Sequence, residues 1–389
     1  MGLPAEGWPG LTEPARAEIA AAEVLFGGRR QLDLVPLDVP KVPWPSPLLP
    51  VLDGLLAEHA HRRRCVLASG DPLLSGIGTT LVKRLGAEHV RIVPAVSSVA
   101  LARARMGWSA EETEVISLVG RSVHRVSRAL APGARLLVLS SGADTPAELA
   151  SVLVARGYDD SGLTVLEQLG APAERRIEGA AREWSHPPGD PLNVVAVECA
   201  GPQSPPLPPL PGLPDEAFEH DGQITKRDLR ASALARLAPV PGELLWDVGA
   251  GAGSVGIEWS RAHPANRAIA VERDAVRAAR IRCNADRLGV PELRVVTGDA
   301  ADVLPDLPAP DAVFVGGGIA ALPACLAALR PGGRLVAHAV TLESEQALAG
   351  AYLRYGGELV RIAVEHAAPL GGFTGWTTAR TVTQWSVTT

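Results

Sequence analysis

Seven of the fourteen residues in GPQSPPLPPLPGLP, Gly201 to Pro214, are proline. Proline has no backbone N–H to give and holds φ near −65°, so the run favours extended polyproline geometry and reads as a semi-rigid spacer. A proline-rich ligand for a partner protein is the rival reading. A chain of 389 residues is already too long for one typical core. The expected division is therefore a first domain over residues 1–201, a linker over 202–214 and a second domain over 215–389. No short tandem repeat stands out on either side.

The second domain alternates short apolar runs with helix-like stretches, the pattern of an α/β unit built on a parallel sheet. ELLWDVG reads as a strand and SVGIEWSRAH as the helix after it. Strands RAIAVER, LRVVTGD, DAVFVGG and GRLVAHAV follow, with helices at DAVRAARIRCNADRLG, IAALPACLAALR and ESEQALAGAYLRYG. ELVRIAVEHA and RTVTQWSVT can pair as a terminal antiparallel hairpin, which a dinucleotide sheet does not normally have. In the first domain, RRRCVLASGDP, VRIVPAVSS, ARLLVLSSGADTP, LTVLEQLG and PLNVVAVEC read as strands running into loops, with a change of sheet near residue 100 or shortly after.

LLWDVGAGAGSVGIEW, Leu244 to Trp259, ends a strand in a glycine loop that enters a helix, and it fits two cofactors. Gly251, Gly253 and Gly256 satisfy G-x-G-x-x-G, the dinucleotide fingerprint, whose amides hold a pyrophosphate. Counted from Asp247, the stretch is D-x-G-x-G-x-G, with Gly249, Gly251 and Gly253. A carboxylate just before the glycines suits a cationic ligand such as the ammonium and sulfonium of S-adenosylmethionine, and serves a phosphate site poorly. Glu272 ends the next strand, where either cofactor's ribose could use it. Asp299, in TGDA, follows the third strand, within reach of an adenine amino group. Three acids ending successive strands favour S-adenosylmethionine over a nicotinamide or flavin. The plainer alternative is that they cap helices, as Asp274 could too.

With these residues in place, the second domain resembles the class I S-adenosylmethionine-dependent methyltransferases, and within them the cobalamin-pathway methyltransferases that act on precorrin-6. DEAFEHDGQITKRDLRASALARL, FVGGG and PLGGFTGW…VTQWSV carry the narrower resemblance, across residues 215–389. Upstream, ASGDPLLSGIGTTL, VPAVSSVALARARMGW and SSGADTPAELA together resemble the tetrapyrrole methylase family, whose two α/β lobes hold S-adenosylmethionine between them. Taken alone, Gly70-Asp71-Pro72 is an ordinary turn. Within the resemblance, Gly70, Asp71 and Pro72 match the family's cofactor loop, Ser97 and Ser98 the loop opening the next helix, and Ala143 to Pro146 a further cofactor-side segment. Members begin with an apolar strand, whereas this chain begins MGLPAEG, inside what looks like the loop after it. The expected fold is therefore a two-lobed tetrapyrrole methylase domain lacking its first strand, joined to a Rossmann-like class I methyltransferase domain. A start codon upstream of Met1 is the corresponding expectation.

The resemblance implies methylation of a precorrin-6 tetrapyrrole at C5 by the first domain. It assigns methylation at C15, with decarboxylation of the C12 acetate, to the second. Reduced tetrapyrroles carry enamine-like meso carbons, so the substrate supplies its own nucleophile and neither metal nor protein nucleophile is needed. His59 and His61, in EHAHRRR, read as a polar helix end rather than a metal site. The substrate's many carboxylates call for arginine forks. The chain has only three lysines, and its candidates are Arg103, Arg105 and Arg121 in the first domain and Lys226, Arg227, Arg230 and Arg380 in the second. Gly316, Gly317 and Gly318, in FVGGG, would let bare backbone approach a flat ring.

A net charge of −6 and 4% aromatic residues weigh against an RNA methyltransferase. That reading, a protein methyltransferase and an NAD-dependent oxidoreductase are the rivals. No run approaches the ~20 apolar residues of a membrane helix, and four cysteines without a C-x-x-C pair fit a reducing cytoplasm. The partners expected are the tetrapyrrole and further copies of the chain in a homo-oligomer, with neither nucleic acid nor membrane.

Overall fold

Leu3 is 1% exposed, packed into an apolar core with Ile19, Leu25 and Leu67. Burying its backbone requires paired hydrogen bonds, and a strand supplies them. Gly2–Leu3 (β1) accordingly pairs in parallel with Ala68–Ser69. Ala68 N–H donates to Met1 O at 2.9 Å, and Gly70 N–H to Leu3 O at 2.8 Å. This corrects the expectation that the chain starts inside a loop with no first strand: a short one is present. On its other side one bond forms, from Gly2 N–H to Val93 O at 2.8 Å. VRIVPAVSS, expected as a strand, therefore contains none, since two residues are too few to carry a ladder beside it.

The computed structural model describes residues 1–201, 207–208 and 210–389; part of the expected linker, 202–206 and 209, lies outside the described residues. Two units result, one of Met1–Val123 with Ala129–Pro205, the other of His124–Arg128 with Pro206–Thr389.

The strands of the first unit fall into three sheets. Val24–Gly27 (β2), Lys41–Pro43 (β3) and Arg64–Val66 (β4) make a parallel sheet in the order β3-β2-β4, and Ala68–Ser69 (β5) carries β1. β2 is buried along its length, as a strand covered on both faces must be. After the helix Ser98–Met106 a new sheet begins, as anticipated. It contains Thr113–Ser117 (β6), Arg135–Leu139 (β7), Gly162–Glu167 (β8), Arg175–Ala180 (β9) and Asn193–Glu198 (β10), in the order β6-β7-β10-β8-β9. Only β6 and β7 run parallel.

The second unit is built on Leu244–Val248 (β11), Arg267–Glu272 (β12), Arg294–Thr297 (β13), Ala312–Val315 (β14) and Arg334–Ala339 (β15), all parallel in the order β13-β12-β11-β14-β15. The chain then makes Glu358–Ile362 (β16), Glu365–Leu370 (β17), Phe373–Thr378 (β18) and Val382–Thr388 (β19). β19 lies antiparallel between β15 and β16, so the expected terminal pairing forms. Between its two arms, β17 and β18 form a separate hairpin that periodicity did not reveal. Its residues are almost all exposed, so no apolar alternation marks it. Apolar layers cover both faces of the main sheet. Leu234, Trp259 and Ile281 belong to one, Trp246, Leu348 and Trp385 to the other.

Candidate functional site

The parallel strands of the second unit end at a cleft of about 1410 Å³, above the roughly 300–1,000 Å³ of ordinary small-molecule pockets. β11 enters it through the glycine loop. Gly249 and Gly251 have φ of 69° and 58°, left-handed values that a side chain resists. A Cβ on Gly249 would stand 2.7 Å from Gly317 O, so the loop and the Gly316–Gly318 run touch backbone to backbone. Both line the cleft, and their glycines present a stretch of bare backbone there. Gly253, at φ 75°, lies instead against Ile281 and starts the helix Ser254–Ala262.

Of the three acids, Glu272 and Asp299 line the cleft. Glu272 steadies the loop, accepting from Gly251 N–H at 2.8 Å and Asp274 N–H at 3.0 Å. Asp299 also caps a short helix by accepting from Ala301 N–H at 3.0 Å, so the capping alternative describes part of its role. Asp247 sits beneath the loop, 1% exposed, rather than on the cleft wall. Its Oδ2 accepts from Gly256 N–H at 2.9 Å, while Oδ1 has no partner. Burial pushes its carboxyl up to about 7, with the nearby Glu272 charge adding to the effect and the Gly256 bond opposing it. A buried anion short of one partner, under a bare glycine cradle and beside a second carboxylate, fits a cofactor that brings positive charge. It fits a pyrophosphate poorly.

The basic candidates divide. Lys226, Arg227 and Arg380 line the cleft, Lys226 lying 3.4 Å from Asp215. Arg230 does not reach it, and its expected place among the cations that meet the substrate is corrected here. Its side chain is fully buried, with Nε donating to Glu258 at 2.6 Å and Nη1 to Asp215 at 3.2 Å. It also donates to the carbonyls of Leu213 and Thr225 and stands 4.8 Å over the Phe218 ring. Glu258 in turn accepts from the Gly212 and Leu213 amides at 2.6 and 3.0 Å. Arg230 thus ties residues 212–225 to the core, which holds the cleft wall around Asp215, Thr225 and Lys226. The sequence reading missed His338, His366, Gln223, Arg273 and Arg277, which also line the cleft. His338 had a signal: it lies near the carboxyl end of a parallel strand.

In the first unit a smaller cleft, about 90 Å³, is lined by Gly70, Asp71, Ser97 and Ser98. Gly70, at φ 55°, lets the chain turn at the strand end. Asp71 accepts from Leu73 N–H at 2.9 Å, and Ser97 caps the helix Ser98–Met106 through Ala100 N–H at 3.1 Å. Pro72 is buried and turns away, its carbonyl receiving Gly78 N–H at 3.0 Å. Pro146 is buried in the helix Thr145–Ala155 and does not line the cleft. Arg103, Arg105 and Arg121 do not line it either, and Arg105 pairs with Glu174 instead. Arg30, which was not anticipated, does, donating to Ser69 Oγ at 2.9 Å.

Comparison with known proteins covers both units. Residues 2–184 match the family model described as tetrapyrrole (corrin/porphyrin) methylases, and residues 216–389 that described as precorrin methyltransferase domain. The chain is 48% identical over 396 residues to a precorrin-6Y C(5,15)-methyltransferase (decarboxylating) of Mycobacterium tuberculosis (strain CDC 1551 / Oshkosh), covering 100% of this chain and 98% of that one. A protein of the same name from Sinorhizobium sp. is 45% identical over 397 residues, with 100% and 95% covered. Among solved structures, the C-terminal domain of precorrin-6Y C5,15-methyltransferase from Rhodobacter capsulatus is 48% identical, covering 47% of this chain and 100% of that one, with a TM-score of 0.45.

Proposed function

The chain belongs to the family of the precorrin-6Y C(5,15)-methyltransferases (decarboxylating), and on that premise we propose that each of its units binds S-adenosylmethionine beside a tetrapyrrole. It is a methyltransferase of cobalamin biosynthesis that methylates a precorrin-6 macrocycle at C5 and C15 and decarboxylates the C12 acetate. Residues 1–201 carry out the C5 methylation. Residues 215–389 carry out the C15 methylation and the decarboxylation, with 202–214 as the join.

When bound, the cofactor supplies an electrophilic methyl group. The protein's part is to hold and align. In the second unit, Glu272 and Asp299 offer acceptors for ribose and adenine, and the glycine amides suit a carboxylate. Asp247 lends negative charge from below. Gly316–Gly318 let the macrocycle lie against backbone, while Lys226, Arg227 and Arg380 bind its carboxylates. In the first unit, Gly70, Asp71, Ser97 and Ser98 form the cofactor side, and Arg30 is the cation nearest to hand. The observation that carries this reading is the second cleft: a stretch of bare backbone and two strand-end carboxylates, with room for cofactor and macrocycle together.

Incubation with precorrin-6Y and methyl-labelled S-adenosylmethionine should add two methyls and remove one carbon dioxide, read by mass spectrometry. A product unchanged in mass would refute the assignment. Among the described residues no helix is long and apolar enough to cross a membrane, and the cytoplasm is the compartment we assign.

Self-association is part of the proposal. Leu370 and Phe373, paired across the β17–β18 hairpin, are 69 and 84% exposed, and Trp376, on the hairpin's other face, is 74% exposed; exposed large apolar side chains of this kind mark a partner surface. Trp376→Asp is expected to shift the protein to a smaller species in sedimentation velocity. An unchanged sedimentation coefficient would remove the hairpin from the interface.

A further inference from the structure

His338 belongs to the half of the second cleft that the cofactor residues leave free. It lies on β15 directly opposite Gln384 of β19, and its ring stands edge-on to Phe314 with centroids 5.0 Å apart. Arg236 fixes which way this pair is wired. A guanidinium can only donate, so the Gln384 atom facing Arg236 Nε and Nη1, at 3.0 and 3.3 Å, is the amide oxygen. The amide nitrogen then faces His338 Nε2 at 2.9 Å and donates to it. Arg236 is itself held by Glu358 at 2.8 Å. Because Nε2 accepts, the imidazole proton resides on Nδ1. Among the described residues nothing pairs with Nδ1, and it is not sealed from the cleft. Burial and the Arg236 charge hold the imidazole neutral, its value pushed down to about 4.

The result is a neutral N–H donor, rigid in orientation, in a corner with Val340 and Val382. Lys226, Arg227 and Arg380 provide cations elsewhere in the same cleft. A carboxylate that is to remain on the substrate is well held by a cation. For one that is to leave, strong ion pairing lowers the ground state more than the transition state, whose charge is moving into the macrocycle. A neutral donor orients the group without that penalty.

We propose that His338 Nδ1–H holds the acetate carboxylate that the second unit removes, which makes it a catalytic residue for decarboxylation and not for methyl transfer. In this step the bond between the acetate methylene and the carboxyl carbon breaks, and its electron pair enters the conjugated imines of the macrocycle. Carbon dioxide leaves, and a proton from solvent converts the methylene to a methyl group. The inference rests on the function proposed above.

Its test uses the full chain with precorrin-6Y and labelled S-adenosylmethionine, following methyl incorporation and carbon dioxide release separately. His338→Phe keeps a ring but removes the donor, whereas His338→Asn places an N–H close to where Nδ1 stood. Carbon dioxide release is expected to fall about a hundredfold in His338→Phe, as for loss of one oriented donor. Methylation should stay within about threefold of wild type, giving a methylated product that retains its carboxyl. His338→Asn is expected to recover release to within about tenfold of wild type. Binding of S-adenosylhomocysteine by the Phe variant checks that the cleft is intact. Parallel loss of methylation and release, undiminished release in the Phe variant, or no recovery in the Asn variant would each overturn the proposal. A wild-type protein that performs neither reaction would instead overturn the parent function.

Discussion

Arg230→Met is expected to destabilise the second unit by about 3–5 kcal/mol, the usual cost of removing one partner from a buried ion pair. Glu258 would keep the Gly212 and Leu213 amides but lose, among the described residues, its one cation within hydrogen-bonding distance, and it is 2% exposed. The carbonyls of Leu213 and Thr225 would lose their donor at the same time. Residues 212–225 would come loose with it, so cofactor binding should weaken alongside the fall in denaturant midpoint. Arg230→Met with Glu258→Gln provides the decisive comparison. Glutamine keeps an oxygen for the Gly212 and Leu213 amides and carries no unpaired charge, so the double variant should regain part of the stability. If the single variant unfolds at the wild-type denaturant concentration, the tie is unimportant.

Asp247→Asn is expected to act in two opposite directions. The folded carboxyl titrates near 7, above the ordinary Asp value of 3.8. The folded protein therefore binds more protons than the unfolded chain across that interval. Stability tied to this group is present in full below about pH 4 and is lost as the pH rises through 7. The interval, at about 1.4 kcal/mol per pH unit, sets a ceiling of about 4 kcal/mol for the cost at pH 8. Asparagine keeps an oxygen for Gly256 N–H and carries no charge. The variant should therefore melt later than wild type at pH 8 and much as wild type does below about pH 4.

Cofactor binding should move the other way in the same variant, weakening by about ten- to a hundredfold with the loss of an interaction to a charged group. In the wild type a cationic ligand must draw Asp247 into its ionised form. Binding at pH 7 should then release about half a proton per site, seen as a dependence of the calorimetric heat on the buffer's ionisation enthalpy. Asp247→Asn should abolish that dependence at the second site. Equal melting temperatures at pH 8, or a proton release that survives the substitution, would show that Asp247 is not the group involved.

Much of the second unit could be read directly because its elements have local causes. ELLWDVG is a strand for its apolar run, and the turn after it needs left-handed glycines at 249 and 251. Asp274 caps the next helix through the Val276 and Arg277 amides. The three acids could be assigned to strand ends for the same reason, since each position follows from its own strand. What could not be read depended on partners far along the chain. Nothing in ITKRDLR distinguishes an arginine that faces solvent from Arg230, which meets a glutamate 28 residues away. Arg105 reads as a free cation until Glu174 is beside it. His338 gained its wiring from Arg236 and Gln384, on two other elements. The β17–β18 hairpin escaped because both its faces are open, so no periodicity records it. VRIVPAVSS has a strand's composition but lacks a neighbour long enough to pair with.

The order of strands in the second sheet also bears on how the protein is made. β19 is synthesised after every other strand, yet it lies inside the sheet, flanked by β15 and β16. Until it leaves the ribosome those two earlier strands have open edges and nothing between them. Trp385, which fills the core on β19, is likewise missing until then. The first unit can close while translation continues, whereas the sheet of the second must wait for β19. In that interval its unpaired edges are the part of the nascent chain most in need of a chaperone.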